Sequence, residues 1–155
     1  MTYKCILGLD PGLSGALSFY YPEHPYQIAC YDMPVDTHGV DGYALAKIIR
    51  QFMPDVAFVE RVHSMPKQGV VSVFTFGEAY GVAKGVLFAL GIKVELVAPR
   101  VWKKELELSS DKNESLEMAR MLWPASDHFK RKKDNGRAEA SLIAFYGFKS
   151  QFNGD

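Results

Sequence analysis

The chain has 155 residues, 48% of them hydrophobic and 13% aromatic, enough for one core of ordinary domain size. Its 18 Lys and Arg are matched by 18 Asp and Glu, which excludes a polyanion binder acting through bulk charge. No run of 18 or more apolar residues escapes charges or breakers, and MTYKCILGLD turns polar and Gly-rich early, so neither a membrane span nor a signal peptide is expected and the chain reads as cytoplasmic.

The expected organisation is one domain over residues 1–150 with a short tail at 151–155. Tyr3 to Leu9 reads as a strand ended by Asp-Pro-Gly, and Gly15–Tyr21 and Tyr26–Met33 read as two more, giving a three-stranded meander. Asp41–Phe52 has Leu45, Ile48, Ile49 and Phe52 at helical spacing, and Pro54 closes it before a strand over Asp55–Glu60. A long apolar helix is predicted over Val71–Leu90, then a strand over Ile92–Val97. Helical patches at 100–107 and 112–122 precede a last helix starting near Asn135. The fold class is therefore α/β, a mixed sheet flanked by helices. Cys5 and Cys30 lie in apolar runs without metal spacing and read as buried free thiols.

Three acids fall at chemically suggestive places. Asp10 ends the first strand, Glu60 ends the fourth, and Glu139 lies near the start of the last helix. Asp10 before Pro11 also suits a turn, and Glu139 also suits a helix N-terminus. Glu60 follows the buried-looking run VAFV, so its charge needs a partner or a metal. Strand ends in an open α/β sheet meet at one edge. Carboxylates gathered there repel one another unless cations neutralise them, and an all-oxygen ligand set selects Mg²⁺ or Mn²⁺. Two such ions about 4 Å apart suit in-line phosphodiester hydrolysis. Two basic blocks, Arg100 with Lys103 and Lys104, and Lys130, Arg131, Lys132 and Lys133, are either solvated surface charge or contacts for a phosphate backbone.

The segments GLDPGLSGA (8–16), VER (59–61), MPKQGVVSVFTFGEAYG (65–81), APRVWKK (98–104) and GRAEASLIA (136–144) carry a resemblance over nearly the whole chain. The sequence resembles the RuvC-type Holliday junction resolvases of the ribonuclease H-like superfamily, and most closely short RuvC-like proteins of bacteriophages. The resemblance implies a ribonuclease H-like mixed sheet, with a three-stranded antiparallel meander plus parallel strands. It also implies a structure-selective DNA endonuclease cutting four-way or branched junctions by paired symmetric nicks with two Mg²⁺ ions per site, Mn²⁺ able to substitute. Asp10, Glu60 and Glu139 match the family's metal-binding acids, and Lys103 and Lys112 resemble lysines near the scissile phosphate.

Asn135 departs from that pattern, standing where the family supplies a fourth acid one helical turn before Glu139. Residues four apart share a helix face, whereas Asp134 lies about 140° from Glu139 in projection and is a poor substitute. Three readings stay open: a native amide coordinating metal through its oxygen, an engineered Asp-to-Asn change that weakens or abolishes cleavage, or a helix cap.

A four-way junction has twofold symmetry, which a C₂ homodimer matches. The apolar helix through 71–90, with apolar residues on more than one stripe, is the expected dimer element. The segment Arg61–Gly69, with His63, Met65, Lys67 and Gln68, is expected to approach the junction centre. His63 and His128 read as solvated rather than proton-transferring. An actin-like ATPase would share the opening motif but needs two domains, more than this length allows. A junction-binding module without cleavage, or a nuclease acting on flaps or RNA hybrids, is a further reading of the same residues.

Overall fold

The apolar runs at the start of the chain form β1 (Ile6–Asp10), β2 (Ala16–Tyr20) and β3 (Ile28–Asp32), paired antiparallel in sequence order. In this computed structural model, which describes residues 2–61 and 66–153, a small hairpin of β4 (Val35–Asp36) and β5 (Gly39–Val40) follows. The sequence reading did not contain that hairpin, because two-residue strands carry no periodic signal. Helix α1 (Gly42–Phe52) starts where Asp41 accepts a hydrogen bond from the Ala44 amide at 3.0 Å and stops at Met53, in a left-handed conformation ahead of Pro54. There follow β6 (Val56–Glu60), α2 (Val70–Ala89), β7 (Lys93–Val97), α3 (Pro99–Glu105) and α4 (Lys112–Leu122). A single 3₁₀ turn at Lys132–Asp134 leads into α5 (Asn135–Ser150).

The main sheet is five-stranded and mixed, in the order β3-β2-β1-β6-β7. Strand β1 is central; it pairs antiparallel with β2 and parallel with β6, which pairs parallel with β7. Side-chain alternation divides the core between the two faces. Ile6, Val56 and Phe58 pack with Trp102, Leu116, Trp123 and Leu142 from α3, α4 and α5 and the segment after α4. Leu7, Leu9, Phe19, Ala57 and Val59 pack on the other face with Leu45 and Ile49 of α1 and Ala83 and Leu87 of α2. Asp10 and Glu60 follow the parity of Ile6 and Val56, so both carboxylates belong to the α5 face.

Helix α5 crosses β1 nearly backbone to backbone. A Cβ added at Gly8 would lie 2.0 Å from the Ala140 carbonyl oxygen and 2.6 Å from the Ala144 nitrogen. Ala138, Ala140, Leu142, Ile143 and Ala144 are completely buried in that contact and the core around it.

The long apolar helix is only partly a core element. Ala79, Ala83 and Leu87 of α2 are buried, whereas Val70, Phe74 and Phe88 on the opposite side are 85%, 72% and 61% exposed. At 20 residues α2 is also long and apolar enough to cross a membrane, a property the sequence reading had denied to every segment. In this fold it packs against α1, β5 and β7 and carries Glu78 and Lys84 at mid-length.

Gly8→Ala is expected to destabilise the fold by about 3 kcal/mol or more, because the atoms it strikes are backbone and cannot rotate away. Urea denaturation measures this, and adding Ala144→Gly to the variant should not restore the midpoint.

Candidate active site

Parallel pairing of Leu9 with Val59 brings the ends of β1 and β6 to the same level, so Asp10 and Glu60 stand side by side. Glu139 reaches them from the second turn of α5. One carboxylate oxygen from each of Asp10, Glu60 and Glu139 lies within 4.8 Å of the others. The turn after Asp10 is what admits α5 so closely. A Cβ at Gly136 would sit 2.8 Å from the Ser14 carbonyl oxygen, so Gly136 in the first turn of α5 abuts the Gly12–Gly15 turn.

Charge at this point is only partly neutralised. Burial, and then repulsion from Glu60 and Glu139, push the Asp10 carboxyl well above its ordinary range, against the pull of Lys112 and Lys103. Glu60 is pushed up first by burial, although a hydrogen bond from Trp102 and both lysines oppose the shift. Glu139 is 6% exposed, and its Oε1, buried, has no hydrogen-bond partner among the described residues; its nearest countercharge is Lys103 Nζ at 3.8 Å. An orphaned, buried oxygen beside two carboxylates that resist ionising fits a cation-binding site, and the all-oxygen set suits Mg²⁺ or Mn²⁺.

Trp102 is the functional-site residue that sequence reasoning missed. Its indole Nε1 donates to Glu60 Oε2 at 2.8 Å and its ring is completely buried. The sequence had indicated only that Glu60 needed a partner; nothing in APRVWKK says which way the indole points.

Asp134 is drawn away from the acids. Its carboxylate accepts from the Arg131 backbone N–H at 2.8 Å and from Arg131 Nη2 at 2.8 Å, with Arg137 Nη1 at 3.7 Å. Burial raises its carboxyl, but the Arg131 hydrogen bonds prevail and hold it below the ordinary range. Arg137 in turn forms a two-pronged pair with Asp32 at the end of β3, at 2.8 and 2.9 Å. Asn135 is the first residue inside α5, with helical φ −60° and ψ −32°, and Asp134 occupies the cap position. The capping reading of Asn135 therefore fails on backbone conformation.

The basic residues sort into two groups. Lys130 pairs with Asp127 at 2.7 Å and Arg131 with Asp134, so half of that block is engaged within the chain. Lys132 and Lys133 are exposed and in no ion pair among the described residues. Arg100, Lys103 and Lys104 line a cleft of about 570 Å³ with Ser109 and Ser110, and Lys103 is the member that also reaches Glu139. Lys112 is exposed in the first turn of α4, where its charge acts on Asp10 and Glu60. Lys67 and Gln68 are exposed ahead of α2. His63 and Met65 lie outside the described residues. Burial and the nearby Arg137 lower the pKa of His128, whose backbone carbonyl accepts from Arg137 at 3.4 Å.

No family model matches the sequence, and no curated protein matches it. Solved structures do. Thermus thermophilus RuvC in complex with Holliday junction substrate aligns with a TM-score of 0.65 at 16% identity, over 97% of this chain and 96% of that one. This is the RuvC-type resolvase fold. The yeast mitochondrial Holliday junction resolvase aligns at 0.58 with 14% identity, over 96% of this chain and 81% of its own. The fowlpox virus resolvase bound to Holliday junction DNA aligns at 0.56 and 14%, over 95% and 98%. The RuvC-type architecture thus extends over 97% of this chain, with its three acids at the meeting point of β1, β6 and α5.

The raised acids have a definite thermodynamic sign. Without cations the folded protein holds protons on Asp10 and Glu60 at pH values where the unfolded chain has released them. Stability attributable to this pair therefore falls as pH rises from the ordinary carboxylate range through the raised values. Asp32, held low by Arg137, acts oppositely, its contribution being lost only as pH falls below the ordinary range. In chelator, the melting temperature is expected to rise as pH is lowered from 8 towards about 5. Asp10→Asn should raise the melting temperature at pH 8 by about 2–4 °C and flatten that slope.

Proposed function

We propose that this chain is a divalent-cation-dependent DNA endonuclease that resolves four-way or otherwise branched junctions by paired nicks. The observation that carries this reading is the convergence of Asp10, Glu60 and Glu139 within 4.8 Å at the end of the central strands of a RuvC-type fold. Two of the similar structures, from T. thermophilus and fowlpox virus, are complexes with Holliday junction DNA.

In this reading Asp10, Glu60 and Glu139 would hold two Mg²⁺ ions, for which Mn²⁺ could substitute. When bound, the ions supply Lewis-acid polarisation of the phosphate and activation of water for in-line hydrolysis. Lys103, whose Nζ lies 3.8 Å from Glu139 Oε1, would place its ammonium against a non-bridging phosphate oxygen. Lys112 adds a second point charge, near enough to act on both Asp10 and Glu60. Arg100, Lys104, Lys132 and Lys133, all exposed, follow the DNA backbone. Lys130 and Arg131 contribute less, being engaged with Asp127 and Asp134. Residues 61–69, with His63, Met65, Lys67 and Gln68, reach for the junction centre.

Asn135 supports a second reading. It shares a helix face with Glu139 one turn away, and an amide there removes one negative charge from the cation site. The chain would then bind junctions while cutting them weakly or not at all. Asn135→Asp is expected to raise Mg²⁺-dependent cleavage of a synthetic four-way junction by roughly 10²-fold or more. Parallel assays on a flap, a linear duplex and an RNA–DNA hybrid separate a junction resolvase from other nucleases. Tight junction binding with no cleavage in either form, in Mg²⁺ or Mn²⁺, would establish the binding module instead.

Assembly completes the proposal. Val70, Phe74, Gly77, Gly81, Gly85 and Phe88 fall on one stripe of α2, exposed throughout, with open space over all three glycines. Bulky ends and a glycine centre suit a close crossing of two copies of the helix about a twofold axis. Sedimentation should show a dimer for the unaltered protein and a monomer for Gly81→Leu with Phe74→Asp, with paired nicks replaced by rare single ones.

A further inference from the structure

Trp102 sits where two functions of the candidate site meet. Its indole N–H is buried, and a buried indole N–H requires an acceptor. The acceptor is Oε2 of Glu60, at 2.8 Å. The ring has no freedom to turn away, because it is completely buried among residues that include Leu106 and Val97. The next side chain, Lys103, places its Nζ 5.4 Å from the indole ring centroid and 3.8 Å from Glu139 Oε1. One rigid side chain therefore touches the carboxylate from β6 and the ammonium that serves the carboxylate from α5.

We propose that Trp102 is a positioning residue for the cation site: by holding Glu60 Oε2 it fixes the rotation of that carboxylate and so sets how tightly the site takes a divalent ion. This rests on reading the three acids as a cation site. A ligand carboxylate free to rotate must be ordered when the ion arrives, whereas one already held by a donor is not; loss of such outer partners commonly weakens metal binding 10- to 100-fold. Trp rather than a smaller donor suits the place, since the same ring fills the core under α3 and cannot be displaced by water.

Two measurements test this, neither dependent on cleavage. The chain contains two tryptophans, so a ¹⁵N spectrum has two indole signals. Trp123 Nε1 donates to the Pro25 carbonyl at 3.1 Å and serves as an internal reference. Titration with Mg²⁺ is expected to move the Trp102 signal and leave that of Trp123 in place. By calorimetry with Mn²⁺, Trp102→Phe should bind about tenfold more weakly than the unaltered protein, and Trp102→His, which keeps a ring N–H, should lose less. In a Glu60→Gln background, Trp102→Phe should cause no further loss. An equal loss in that background would make Trp102 a core filler and overturn the proposal. Unaltered Mn²⁺ affinity in Trp102→Phe, or a Trp102 signal that ignores Mg²⁺ while the ion demonstrably binds, would also overturn it and leave the cation site standing. Failure of the unaltered protein to bind Mn²⁺ or Mg²⁺ would remove both readings together. Should Trp102→Phe not fold, the titration of the unaltered protein decides.

Discussion

The contact on which this structure depends is the approach of α5 to β1 across Gly8. With no side chain at that position, the helix settles until the Ala140 carbonyl occupies the space a Cβ would need. Every lateral relation at the acidic end of the sheet follows from this. Glu139 is carried down to the level of Asp10, Gly136 comes against the turn after β1, and the small residues Ala138, Ala140 and Ala144 close the gap. A larger spacing would leave the helix carboxylate stranded above the strand carboxylates.

Bringing three acids together this way opposes folding, and the molecule compensates only in part. Burial raises Asp10 and Glu60 and their mutual repulsion with Glu139 raises them further, while Lys103 and Lys112, and for Glu60 the Trp102 indole, oppose the shift without cancelling it. The same stretch of chain treats its other acid differently. Asp134 is clasped by Arg131 and Arg137, and Arg137 ties the start of α5 to Asp32 on β3. That clasp fixes the helix start against the sheet, so the unfavourable cluster is assembled by favourable ion pairs a few residues away. Functional sites commonly show this local cost in stability.

Much of the fold was readable because burial on both sheet faces writes long apolar runs, and because each run of interest ends on an acid. Asp10 and Glu60 are such endings, and the spacing of α5 made Glu139 their natural companion. What sequence pattern could not supply was direction. The block Lys130–Lys133 looked uniform, yet two of its members pair within the chain, Lys130 with Asp127 at the surface and Arg131 with the buried Asp134. Trp102 could have faced solvent, core or site; only the packing of α3 on β6 aims its N–H at Glu60. The hairpin of β4 and β5 is too short to leave a period, and α2, uniformly apolar in sequence, is buried along one side and open along the other. His63 and Met65 belong to the part of the chain outside the described residues.

The alternation of side chains along β1 and β6 bears on how such a chain can change length. Asp10 and Glu60 face α5 only because each is an even number of steps from Ile6 and Val56. Inserting or deleting one residue inside either strand would swing its acid to the opposite surface, into the apolar layer under α1 and α2, and bring apolar residues such as Leu9 or Val59 into the vacated place. Length variation among chains of this architecture should therefore collect in the connections, with the two central strands admitting changes of residue but not of number.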